Sequence, residues 1–251
     1  MTDAKRYWIM GIVAGTILLA GTVFGVDWMN YFYNTDSVYP FYGKPAITFL
    51  SFVLVLIIGK DFIDRKDRLL LVFAFMCMLP TDILMSVVPL NPEMTVGGTV
   101  FLIGGILSIV AHIFIIIRVG RGWHWMKDFK LTDLWLPVLV FGSAVIFIAI
   151  LWTDIVRVGH AVLGPVYTAF FCTTMWLSWE TVRRGTYPRA NAWMAALAAT
   201  GWYATEVIGE IYNLGLRDIS EIAFRIVWIF YGSNVVLWAL SGFNWGEKNS
   251  S

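Results

Sequence analysis

The sequence predicts an all-α integral membrane protein, a single-domain bundle of eight transmembrane helices with both termini cytoplasmic. Three observations lead there. Only 14% of the 251 residues are charged while 59% are hydrophobic, against about 25% charged in a soluble domain, and the mean hydropathy is +0.72. Apolar stretches near the roughly 20 residues that cross a hydrocarbon core recur along the whole chain. Lys and Arg gather on one side of the segments between them. This composition excludes a cytosolic enzyme and a nucleic-acid binder. The net charge of +1 averages over a strongly patterned chain and carries no information about a partner. Cys77 and Cys172 both lie in apolar runs, so neither a disulfide framework nor a metal cluster is available, and three scattered histidines make no zinc motif.

The spans fall at 7–25, 45–59, 69–90, 97–117, 134–156, 161–182, 190–214 and 221–243. Lys5-Arg6 precedes the first, as in a signal peptide, but the apolar run is too long and lacks a small-x-small cleavage site, so it reads as a helix. The second is short and can extend into Asp61-Phe62-Ile63. Only Arg157-Val158-Gly159-His160 separates the fifth from the sixth. No loop is long enough for a soluble domain. The longest outer loop, 26–44, holds Trp28, Tyr31, Phe32, Tyr33, Tyr39, Phe41 and Tyr42. Such residues prefer the headgroup level, so the loop reads as an aromatic belt before it reads as a substrate lid.

Charge tests the count. With the N-terminus inside, the cytoplasmic segments hold Lys5, Arg6, Lys60, Arg65, Lys66, Arg68, Arg118, Arg121, Lys127, Lys130, Arg183, Arg184, Arg189 and Lys248, which is 14 of the 18 basic residues. The outer side has Lys44, Arg157 and Arg217, and Arg225 lies just inside the eighth span. A miscounted helix would scramble that asymmetry. Thr81-Asp82 and Thr205-Glu206 are 124 residues apart, and Pro45 and Pro165 are 120 apart. These offsets fit two parallel four-helix halves, as does coincidence among so few positions.

An ionisable side chain in hydrocarbon costs roughly 3 kcal/mol on insertion scales, so each needs a reason. Asp82 lies 13 residues past the cytoplasmic start of its span and Glu206 lies 16 past its own. At 1.5 Å per residue these are rises of roughly 20 and 24 Å. Both carboxyl groups then share a depth in the outer half of the bilayer, where no Lys or Arg is expected to pair with them. Pro80 removes a backbone hydrogen bond beside Asp82, and Glu210 stands one turn from Glu206 on the same face. Spans three and seven are therefore expected to be neighbours. His112 in the fourth span suits a packed core histidine as well as a functional one. Glu180 with Arg183 and Arg184, Asp154 with Arg157, and Glu221 with Arg225 suit ordinary pairs at i,i+3 or i,i+4. Tyr167 and Asn234 can join helices or line a pocket. Lys44, at the outer mouth of span two, can meet a phosphate or snorkel.

Read in order, these segments resemble the YhhN-like family of membrane proteins, which includes lysoplasmalogenases. The likeness lies in Lys44-Pro45 opening the second span, Thr81-Asp82-Ile83-Leu84-Met85 in the third, and Gly104 or Gly105 through Ala111-His112 in the fourth. It continues in Pro165-Val166-Tyr167 with Met175 in the sixth, Thr205-Glu206 in the seventh and Tyr231-Gly232-Ser233-Asn234 in the eighth. This chain departs from the family pattern with Thr81 for Gly, Glu206 for Asp and Asn234 for Gln. The resemblance implies a hydrolase acting on the sn-1 vinyl ether of a lysoplasmalogen, an amphiphilic lipid reached from the membrane. Its catalytic acids would be Asp82 and Glu206, and its substrate-binding residues Lys44, His112, Tyr167, Glu210 and Asn234. Neither metal nor cofactor is required. Two other classes fit buried acids in a membrane: a terpene cyclase that protonates an alkene or epoxide, and a lipid or small-solute transporter. An opsin is excluded, because no Lys lies near the middle of any span. An integral membrane location, plasma or inner membrane in a bacterium, follows from the spans; the oligomeric state does not.

Overall fold

The structure, a computed structural model, describes residues 3–35, 37–87, 99–121, 129–157, 159–213 and 217–245, with side chains at 3, 101, 209–213, 217–224 and 227–229 left aside. Among the described residues there are eight long α-helices and no strand: α1 (Asp3–Tyr33), α2 (Tyr39–Ile58), α3 (Arg65–Asp82), α4 (Thr99–Val119), α5 (Trp135–Arg157), α6 (Leu163–Arg184), α7 (Arg189–Asn213) and α8 (Arg217–Leu240). A 3-10 turn over Gly59–Asp61 extends α2, and another over Leu131–Leu134 leads into α5.

Local chemistry explains the helix ends. Pro40 sits in the first turn of α2, where its missing N–H costs nothing and its fixed φ suits the helix. The Asp64 side chain caps α3 by accepting from the Asp67 amide at 2.7 Å. Pro80 lies inside α3, and the helix widens immediately beyond it into a π-turn over Ile83–Val87; a proline and a π-turn are two recognised ways of relaxing a helical ladder. Gly185 closes α6 in the left-handed conformation that favours glycine.

One expectation changes here. The aromatic segment 26–44 is mostly helix: α1 runs on to Tyr33 and α2 begins at Tyr39. Aromatic residues carry no helix-breaking signal of their own, and only five residues of sequence lie between the two helices. Pro45 therefore lies inside α2 rather than at its start.

Among the described residues, five helical segments are long and apolar enough to cross a membrane: Ala4–Tyr33, Tyr39–Asp61, Arg65–Val87, Leu102–Val119 and Leu131–Arg157. The helices α6 and α7 are less apolar because they bury polar residues, Thr174, Ser178, Glu180 and Thr181 on α6 and Asn191 and Thr205 on α7. The outward faces of α1 and α5 are apolar, with Leu18, Val138 and Ile150 each more than half exposed. Large exposed apolar faces on otherwise packed helices fit a membrane protein.

The principal pairings are α1 with α2, α2 with α3, α3 with α4, α4 with α6, α6 with α7, α7 with α8 and α8 with α1. Seven helices thus close a ring, α2 and α8 also meet across it, and α5 leans on α6 from outside. At Gly43 an added Cβ would stand 2.1 Å from Val23 Cγ2, so the missing side chain is what lets α1 and α2 approach.

The end of the ring where α3 begins is held by a buried polar network. Arg118, fully buried in α4, donates from Nε and Nη2 to the two oxygens of Asp67, each at 3.0 Å. Its Nη1 donates to Ser241 Oγ at 2.8 Å. The Tyr187 hydroxyl stands 2.6 Å from Asp67 Oδ1, and burial pushes that phenol up, so it remains a donor. Asn191 Nδ2 donates to the Ser241 and Phe243 carbonyls. Arg118 was expected as a cytoplasmic loop charge; it is instead the fully desolvated centre of a junction between α3, α4, the α6–α7 turn and the end of α8. Glu180 pairs with Arg183 and Arg184, as its spacing suggested, and both arginines also reach Asp133. Asp154 pairs with Arg157 at 2.7 Å. The Glu221 side chain is outside the described residues, and Arg225 stands 4.0 Å from buried Asp27.

Candidate functional site

Lys44 and Thr48 are four residues apart on α2 and so share one face of the helix. That face meets the end of α3 and the middle of α8. Thr48 Oγ1 donates to Asp82 Oδ2 at 2.5 Å and lies 2.6 Å from the Tyr231 hydroxyl. The Tyr231 hydroxyl also donates to Asp82 Oδ2. On the other carboxylate oxygen, Lys44 Nζ stands 3.7 Å from Asp82 Oδ1, and the same ammonium lies 4.9 Å from the Tyr231 ring centre. Thr48 is fully buried, while Asp82 and Tyr231 are each 4% exposed. An ion pair joined to hydroxyl donors in a dry setting is how a buried carboxyl group becomes tolerable.

This corrects the expectation that no basic residue stands beside Asp82. Because α2 begins at Tyr39, Lys44 is more than a turn inside the helix, and its flexible stem reaches the acid. Lys44 is thereby a partner of Asp82 rather than an isolated charge at a helix mouth.

His112 is fully buried on α4. Its Nδ1 is 2.8 Å from Thr174 Oγ1, its ring packs against Phe171 and Trp202 with centroids 3.9 and 4.3 Å away, and its Nε2 is buried without a hydrogen-bond partner. Tyr167 accepts a hydrogen bond from Ser108 Oγ at 3.1 Å and presents its edge to the His112 ring at 6.4 Å.

Glu206 lines a small cleft between α5, α6 and α7. The α5 wall is Ala144, Phe147, Ile148, Leu151 and Ile155; α6 adds Gly164, Tyr167, Thr168 and Phe171; α7 adds Tyr203, Glu206 and Val207. His160 stands at the α5–α6 turn, and burial holds its imidazole below the ordinary value. Tyr203, Glu206 and Val207 are at i, i+3 and i+4, hence on one face of α7.

The two acids meet through other residues. The helices α3 and α7 are not among the principal pairings: α3 packs on α2 and α4, and α7 on α6 and α8. The expected neighbours are thus separated, because α8 inserts between α7 and α2. Tyr231 of α8 bonds Asp82 directly and lies within electrostatic reach of Glu206. Asn234, one turn along α8, is 1% exposed with its Nδ2 unpartnered, and its Cβ lies 3.2 Å from where a Cβ on Gly201 would stand. The Glu210 side chain is outside the described residues. Sequence reasoning named Lys44, Asp82, His112, Tyr167, Glu206 and Asn234, and it missed Thr48, Tyr203 and His160, as well as Tyr231, which entered only as part of the Tyr231-Gly232-Ser233-Asn234 motif. The Lys44–Thr48 spacing was the available signal for Thr48; nothing local marked Tyr203 or His160.

Comparison with protein-family models, with curated proteins and with solved structures finds no match for this chain.

Proposed function

We propose that the chain is an eight-span membrane hydrolase with both termini cytoplasmic, cleaving the sn-1 vinyl ether of a lysoplasmalogen with Asp82 and Glu206 as its acid–base pair. What supports this reading is two carboxyl groups in different settings, Asp82 in a buried polar cluster with Lys44, Thr48 and Tyr231 and Glu206 on a largely apolar cleft. That is the division an amphiphilic substrate asks for.

The chemistry balances with these groups alone. One carboxylic acid transfers its proton to the β-carbon of the vinyl ether, leaving an oxocarbenium ion on the carbon attached to oxygen. Water adds to that carbon while the other carboxylate takes its proton. The resulting hemiacetal breaks its bond to the glycerol oxygen, which regains a proton, and a fatty aldehyde and a glycerophospho-alcohol leave. Paired carboxyl groups stabilise the same kind of cation in glycosidases. Lys44 and the hydroxyls of Thr48 and Tyr231 hold Asp82 in one orientation, which is the positioning that acid–base transfer needs.

The test is vinyl-ether turnover by purified protein. Asp82→Asn and Glu206→Gln should each lose about 10²- to 10⁴-fold in rate with the fold intact, and Glu206→Asp should keep measurable turnover. Wild-type rates in well-folded Asp82→Asn would remove the reading.

A further inference from the structure

Thr48 and Tyr231 bring α2 and α8 together at Asp82. The chain meets itself again past the ends of the same two helices, where the Ile63 amide donates to the Gly242 carbonyl and the Asn244 amide to the Asp61 carbonyl. Two contacts in the same chain order make α2 and α8 parallel. Ser51 and Asn234 each lie three residues past the Thr48–Tyr231 contact, so both stand about one turn farther along at a common height. Neither is more than 1% exposed, and Ser51 Oγ and Asn234 Nδ2 have no hydrogen-bond partner among the described residues.

Two further atoms of this kind lie close by. A Cβ on Gly201 of α7 would stand 3.8 Å from Asn234 Nδ2. The next residue, Trp202, packs its ring on His112 at 4.3 Å and on Trp238 at 6.4 Å. The helices α4 and α7 are not among the principal pairings, so His112 and Trp202 meet across the interior of the ring. His112 and Trp238 are fully buried, with His112 Nε2 and Trp238 Nε1 unpartnered. A buried polar atom without a partner forfeits its hydration, so these groups call for a guest. The Trp238 indole N–H and Asn234 Nδ2 can only donate, whereas the Ser51 hydroxyl and His112 Nε2 serve in either role. The guest must accept from two groups and also be able to donate, as a water oxygen does. It must be small as well. Phe171, Trp202, Tyr231 and Trp238 belong to one packed cluster, and close-packed interiors leave gaps of about water size.

We propose that this part of the ring is a site for bound water, held by Ser51, His112, Asn234 and Trp238, and that it supplies the water consumed at Asp82. The site itself stands on the buried donors and acceptors; its use rests on the reading of Asp82 and Glu206 as reacting acids. Hydrolysis of a vinyl ether takes up water at every turnover. Tyr231, one turn from Asn234, joins this site to Asp82, so water held there reaches the acid without crossing hydrocarbon.

The experiment is hydroxyl-radical footprinting of the purified full chain in nanodiscs of diacyl phosphatidylcholine, with radicals generated by X-ray radiolysis. Radicals formed from a bound water attack the side chains beside it, however deeply buried. With each rate normalised to that in the unfolded chain, Trp238 and His112 should be oxidised faster than Phe62, which is 5% exposed and packed against Gly242. Asn234→Leu keeps the size of the side chain and removes the donor. Losing one hydrogen bond lowers the occupancy of a bound water roughly 2- to 10-fold, and Trp238 oxidation and vinyl-ether turnover should fall together. Should Asn234→Leu fail to fold, Ser51→Ala removes only a hydroxyl and should act in the same direction. Trp238 oxidation no faster than that of Phe62, or undiminished in a folded variant, overturns the proposal. Turnover that holds while the footprint fades removes the supply role. Rapid Trp238 oxidation in a chain without vinyl-ether turnover keeps the water site and removes the reaction; turnover with Trp238 protected removes the water site.

Discussion

Tyr231 is the residue on which the site turns. Its hydroxyl reaches Asp82 and Thr48 together, and it sits on α8, the helix that packs against the α7 carrying Glu206. Hydrogen bonds to charged groups contribute about 1.5–3 kcal/mol, so Tyr231→Phe should lower turnover roughly 10- to 100-fold without unfolding the chain; turnover and thermal midpoint measured side by side would check this. A different buried charge governs stability. Arg118 and Asp67 are both fully buried and doubly bonded, and without the arginine the buried carboxylate keeps only Tyr187 and Arg121 as partners. Arg118→Met should cost about 3–5 kcal/mol, and adding Asp67→Leu should recover most of it, as read from unfolding of the detergent-solubilised protein. The type of residue was legible in both cases, since acids in apolar spans stand out. Their partners were not: Lys44 and Arg118 read as interfacial charges because one sequence does not say where a long side chain folds back.

At the scale of an element, the start of α3 gives a pH prediction. Burial opposes ionisation of Asp64, but hydrogen bonds from the Asp67 amide and from Arg121 outweigh it, and the carboxyl group is held below the ordinary aspartate value. A carboxyl group depressed in the folded state contributes stability that is present above its unfolded value and is lost as pH falls through the folded one. The thermal midpoint should therefore decline on acidification below the ordinary aspartate range. Asp64→Ala should lose about 1 kcal/mol near neutral pH and show a shallower acid decline; an unchanged pH profile would sink the assignment. Helix existence was readable from hydropathy, including the division at the short α5–α6 turn. The ends of α1 and α2 were not. Tyr, Phe and Trp mark a membrane interface without breaking a helix, and Pro40 and Pro45 fit inside or outside one.

For the molecule as a whole, the eight-span topology is open to a direct test. With Cys77 and Cys172 replaced by Ala, single cysteines at Ser37 and Lys66 should react with an impermeant thiol reagent from opposite sides of the membrane. Reaction of both from the same side would end that topology. The ring of seven helices with α5 outside also makes α5 the element best placed to move, since it rests on α6 alone among its principal pairings. A helix with few packed contacts opens at low cost, and hydrogen exchange should be faster on the second half of α5 than on its first.

What the sequence by itself determined is the solvent of this protein and its number of helices, because the cost of burying charge in hydrocarbon and the length of a span act on each segment alone. The same local reasoning singled out Asp82 and Glu206, whose presence in apolar runs needs no knowledge of neighbours. Only the tertiary structure decided that α8 stands between α7 and α2, that Lys44 and Thr48 complete the Asp82 cluster, and that Glu206 lines a cleft with α5 and α6. Those outcomes depend on which faces of different helices meet. That choice is made by the shape and packing of side chains far apart in sequence, from Gly43 against Val23 to Gly201 against Asn234, and no single segment records it.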